Sequence, residues 1–86
     1  MIVFVANPTK PTELEEQAVA RSRAAAARFP GRVEVRVLDL DSEAALLLGA
    51  VISPTIVVGD TALAVGQVPM AGQIKRYLQA ALDGAV

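Results

Sequence analysis

Thr55-Ile56-Val57-Val58-Gly59-Asp60-Thr61-Ala62-Leu63-Ala64-Val65 sets two short apolar runs on either side of a Gly-Asp turn signal. A tight turn between two such runs predicts an antiparallel hairpin, with strands over Thr55–Val58 and Ala62–Val65. What precedes the hairpin decides which sheet it joins. Ile2-Val3-Phe4-Val5 is apolar on both faces and stops at Asn7-Pro8. That pattern predicts a central, fully buried strand. Val33, Val35 and Val37 alternate with Arg32, Glu34 and Arg36, the period-two pattern of a strand with one wet face. Leu38 and Leu40 continue the apolar content, although Leu38 breaks the alternation.

Helices fill the gaps. Thr12 and Glu15 form the S/T-x-x-E capping box, in which hydroxyl and carboxylate each satisfy an orphan amide of the first turn. Glu13, Glu15 and Glu16 sit at the positive end of this helix, and Arg23 and Arg28 near its negative end. Leu14, Ala18, Ala25 and Phe29 give it a buried stripe, and Pro30-Gly31 ends it. Asp41 or Ser42 caps a short helix through Ala44–Leu48, with Gly49 as its C-cap. A last helix runs from about Met70 to Leu82, with Ile74, Tyr77, Leu78 and Ala81 on one face. The order β-α-β-α-β-β-α predicts an α/β domain over residues 1–86: a four-stranded mixed sheet flanked by helices.

Composition narrows the chemistry. The chain has 86 residues, 53% of them hydrophobic, which fits one globular domain with a thin stability margin. It has no cysteine and no histidine. A dithiol, a thiolate nucleophile, Cys/His zinc ligation and a Ser–His–Asp triad are therefore all excluded within it. Net charge is −1, and Arg21, Arg23 and Arg28 follow three glutamates instead of forming a dense basic run, so no nucleic-acid partner is expected. No apolar run approaches the ~20 residues of a membrane span, and Met1–Ala6 lacks a basic start and a long apolar core, so cytoplasmic residence is expected.

Two features are similar to the thioredoxin and glutaredoxin family. The first is Ser53-Pro54-Thr55, just before the third strand. The second is the hairpin followed by Gly66-Gln67-Val68-Pro69 and a helix containing Ile74-Lys75-Arg76-Tyr77-Leu78. The resemblance implies a thioredoxin-like β-α-β-α-β-β-α fold with Pro54 in the cis form. It further implies that the backbone of Ser53 is open to an extended ligand. In that family a Cys-x-x-Cys opens the first helix. Here Lys10 and Glu13 stand in the cysteine positions, with Pro11 and Thr12 between them.

The resemblance thus implies a redox-inactive member. It is expected to be no enzyme, to carry no cofactor or metal, and to bind a protein or peptide at Lys10, Pro11, Thr12, Glu13, Ser53, Pro54 and Thr55. Free amides at the helix start favour an anion or carboxylate there. Asn7, Lys10 and Thr12 add further donors, and Glu13 opposes an anion. Two alternatives remain open. Phe4-Val5-Ala6 with the following polar loop, and Ser53-Pro54-Thr55, also resemble the KaiB clock proteins, which implies regulation through an ATPase partner. The tidy Gly59-Asp60 hairpin departs from that family. The chain also resembles a glutathione-binding transferase fragment up to the hairpin, where Gly66-Gln67 replaces the acid and hydroxyl that glutathione needs. The last two strands offer an edge, so a monomer or weak homodimer is expected.

Overall fold

β1 (Ile2–Asn7) runs through the interior of a four-stranded mixed sheet. The computed structural model describes residues 1–50, 52–59 and 61–84. β1 pairs in parallel with β2 (Glu34–Asp39) and antiparallel with β3 (Thr55–Val58). β4 (Thr61–Val65) joins antiparallel to β3, so the sheet order is β2-β1-β3-β4. Among the described residues, three helices complete the α/β domain: α1 (Glu13–Ala26), α2 (Glu43–Leu47) and α3 (Ala71–Leu82).

Apolar alternation divides the sheet into two faces. Val3 and Val5 of β1, with Ile56 and Val58 of β3, point into one core. Ala18 and Ala25 of α1, Phe29 beyond it, and Ile74 and Leu78 of α3 close that core. The opposite face carries a smaller cluster in which Ala6 meets Ala45 of α2 and Ala50, with Leu38 and Leu40 packed against them. Leu38 follows Val37 and so turns to the face that α2 covers. The break in alternation read from the sequence is this change of duty.

The hairpin has its own irregularity. Ile56 pairs with Ala64 but Val57 pairs with Ala62, so Leu63 is an extra residue on β4. Such a bulge re-aims side chains. Leu63 and Ala64 both pack against the larger core as a result. Gly59 takes a left-handed φ of 64° at the turn; Asp60, the other half of the expected turn signal, lies outside the described residues.

Several expectations are corrected. Leu14, expected on the buried stripe of α1, is 50% exposed, while Glu15 is 7% exposed. The stripe starts one position later because Glu15 is drawn inward by polar partners at the head of the helix. Val37, expected on the dry face of β2, is 47% exposed, whereas Val33 and Val35 pack against the core. α1 leaves the end of this edge strand uncovered. α1 ends at Ala26, before Pro30, because the chain turns through residues 27–31.

Ser22 lies inside α1 with no exposed surface, and its Oγ has no hydrogen-bond partner among the described residues. A buried hydroxyl left unpaired costs free energy that alanine does not. Ser22→Ala is expected to stabilise the domain by about 1 kcal/mol. In a chain of this size that raises Tm by about 4–8 °C, read by thermal unfolding followed by circular dichroism.

Candidate binding surface at the start of α1

β1 delivers Asn7 to the head of the domain, and the chain crosses to α1 through exposed Thr9, Lys10 and Pro11. Thr12 is the N-cap and frames a capping box with Glu15. The Thr12 amide donates to Glu15 Oε1 at 2.8 Å, and the Thr12 hydroxyl donates to the same oxygen at 3.0 Å. Across a sequence gap of 38 residues, the Ser53 hydroxyl donates to Glu15 Oε2. Asn7 Nδ2 donates to the Glu15 carbonyl at 2.9 Å. One residue therefore ties the end of β1, the head of α1 and the segment before β3.

The Ser53 hydroxyl, followed by the Thr12 amide, holds the Glu15 carboxyl below its ordinary value of 4.5 against the opposing effect of burial. Donors that favour the charged form shift a carboxyl in this direction. A second carboxylate fixes the crossing loop. Thr9 Oγ1 donates to Asp39 Oδ2 at 2.5 Å and the Asp41 amide to Asp39 Oδ1 at 2.9 Å. These donors, the Thr9 hydroxyl foremost, also lower the Asp39 carboxyl.

The Ser53–Pro54 peptide bond is cis. Pro54 is fully buried, and its carbonyl accepts from the Gly66 amide at 2.8 Å. Thr55 is 3% exposed and donates its hydroxyl to the Ile52 carbonyl. Gly66 has a left-handed φ of 70°, and a Cβ there would stand 3.3 Å from Cγ2 of Ile52. Arg21 of α1 donates from Nη1 to the Val68 carbonyl at 3.2 Å and so pins the loop that follows Gly66.

Of the residues singled out from the sequence, Thr12 and Ser53 are joined through Glu15. Lys10, Pro11, Thr12 and Glu13 are exposed, and Ser53 is half-buried. Lys10 and Glu13 make no side-chain hydrogen bond or ion pair among the described residues. The Pro54 and Thr55 side chains lie beneath the surface and shape it from below. Sequence reasoning missed Glu15 as a tie to Ser53, and Arg21 as a loop anchor. The available signal for Glu15 was a carboxylate next to the position assigned to the buried stripe. For Arg21 no sequence signal existed.

The arrangement is poor in catalytic chemistry. Ser53 and Glu15 form a hydroxyl–carboxylate pair, but a carboxylate held below its ordinary pKa is a weaker base. No cluster of three or more metal-ligating side chains occurs among the described residues. No described helix is long and apolar enough to cross a membrane. Comparison with protein-family models, with curated proteins and with solved structures finds no match to this chain.

Two outcomes follow from this geometry. The lowered Glu15 carboxyl contributes stability that is complete above its unfolded value and lost as pH falls through the folded one. Urea midpoints measured downward from pH 6 are expected to fall below about pH 4.5, and Glu15→Gln is expected to flatten that limb, leaving the part due to Asp39. Gly66→Ala is expected to cost about 1–2 kcal/mol through its left-handed backbone alone, and more through the contact with Ile52. The same substitution at Gly31, also left-handed but with open space around it, is expected to cost less in the same unfolding assay.

Proposed function

We propose that the chain is a redox-inactive, thioredoxin-like binding module that holds an extended peptide or protein segment beside Ser53. The fold part of this reading is supported by the β-α-β-α-β-β-α order, the parallel β1–β2 pair and the antiparallel β3–β4 hairpin entered through Ser53-Pro54. The absence of cysteine from the sequence removes dithiol exchange from the module.

One observation carries the binding part. The backbone N–H and C=O of half-buried Ser53 have no hydrogen-bond partner among the described residues. The segment is nonetheless held at both sides, by Glu15 on the Ser53 hydroxyl and by Gly66 on the Pro54 carbonyl. A fixed backbone with open polar groups is what an extended segment uses for strand-like pairing. Pre-organisation lowers the ordering cost of that step. Lys10 and Glu13, exposed beside it, supply charges of both signs for partner selection.

The test is a titration of the labelled protein with a panel of extended peptides, following backbone amide signals. Saturable shifts confined to Thr12, Ser53 and Gly66 are expected, with affinity reduced about tenfold by Glu15→Ala through loss of the fixed geometry. Shifts that spare these residues for every peptide contradict the reading.

A further inference from the structure

The other flank of α1 carries a feature unrelated to Ser53. A groove of about 570 Å³ lies between α1 and β2, floored by the end of β1. That volume is in the range of small-ligand sites. Its existence follows from side-chain size. Beside the half-exposed Val37, the apolar side chains that α1 contributes to the lining are Val19 and the small Ala20. The slot between helix and edge strand is left unfilled, with apolar walls.

Its charges are segregated along its length. Glu16 and Arg23 both line the groove, and they stand seven residues apart on one helix. At 1.5 Å rise per residue the separation is about 10 Å. Asp39 lines the groove too, and it pairs in register with Asn7 at the strand ends, where the head of α1 lies. The head of the groove therefore holds two carboxylates, Glu16 and Asp39. Beneath them Asn7, 3% exposed, has an Oδ1 with no partner among the described residues. All three are acceptors. The far end holds the guanidinium of Arg23. Neither the Glu16 carboxylate nor the Arg23 guanidinium has a hydrogen-bond or ion-pair partner among the described residues.

We infer that this groove binds a short apolar peptide with free termini, its ammonium at Glu16 and Asp39, its carboxylate at Arg23 and its side chains against Val19 and Val37. Length selects the ligand class. Three extended residues span about 10 Å, which matches the distance between the two charged ends. Arginine suits the carboxylate end because its planar fork accepts a bidentate partner. An apolar middle with one charge at each end is the complement of an apolar tripeptide zwitterion, and a blocked terminus leaves one end of the groove unpaired.

The probe is the tripeptide Ala-Val-Ala, titrated at millimolar concentration while the amide signals of Val19, Val37 and Ser53 are followed. Saturable shifts at Val19 and Val37 are expected, with Ser53 unmoved. The C-amidated peptide is expected to bind about tenfold more weakly. Arg23→Gln is expected to bind the free and amidated forms alike. Ala20→Leu, which fills the slot from an exposed helix position, is expected to abolish binding. Both variants are first shown to keep the parent's Tm and amide dispersion. Absence of saturable shifts at Val19 and Val37 overturns the inference, as does unchanged binding by folded Arg23→Gln and Ala20→Leu. Shifts at Ser53 alone also overturn it, and they assign the peptide to the first surface instead.

Discussion

A carboxylate drawn out of water keeps its charge only if donors replace the water, and at the head of α1 the replacement comes from distant parts of the chain. Glu15 receives the Thr12 amide and hydroxyl from its own helix and the Ser53 hydroxyl from the segment before β3, while its carbonyl receives Asn7 from β1. The consequence is positional. β1 and β3 are already neighbours in the sheet, but nothing in their pairing dictates where the head of α1 sits above them. Glu15 supplies that constraint. It also engages the Ser53 side chain, while the Ser53 backbone has no hydrogen-bond partner among the described residues.

Packing below the head is set by small residues. Ala18, Ser22 and Ala25 of α1 are at most 1% exposed, and Ile74 and Leu78 of α3 are fully buried. Short side chains on α1 let the larger aliphatics of α3 and β3 fill the same core. The cost of that economy appears on the other flank, where Ala20 and Val19 do not reach far enough to cover Val37. One helix thereby presents two different surfaces: a polar head tied to Ser53, and an open apolar slot against β2.

Much of this was legible in the sequence because the signals were periodic. The β1 run, the Val33–Val37 alternation, the hairpin and the α3 face each read directly into an element. The capping box named Thr12 and Glu15 correctly as a pair. It did not disclose that Glu15 has a second oxygen free to reach a residue 38 positions away, since long-range polar contacts leave no local pattern. Leu14 was misplaced for the same reason: hydrophobicity favoured it for the stripe, and hydrogen bonding drew its neighbour in instead. Val37 carried the strand period faithfully, but coverage of an edge strand depends on where the helix lies. Arg21 resembled any helix-surface arginine, and its bond to the Val68 carbonyl depends on where the chain returns after β4.

Everything proposed for the Ser53 surface depends on the Glu15 carboxylate being engaged as described. Its pKa can be read directly by following the side-chain carboxyl carbon of Glu15 by NMR through an acid titration of the folded protein. The bridge predicts a midpoint below the ordinary 4.5, moving up toward that value when Ser53 is replaced by alanine. A Glu15 midpoint at or above the ordinary value in the parent, unmoved by Ser53→Ala, would contradict it.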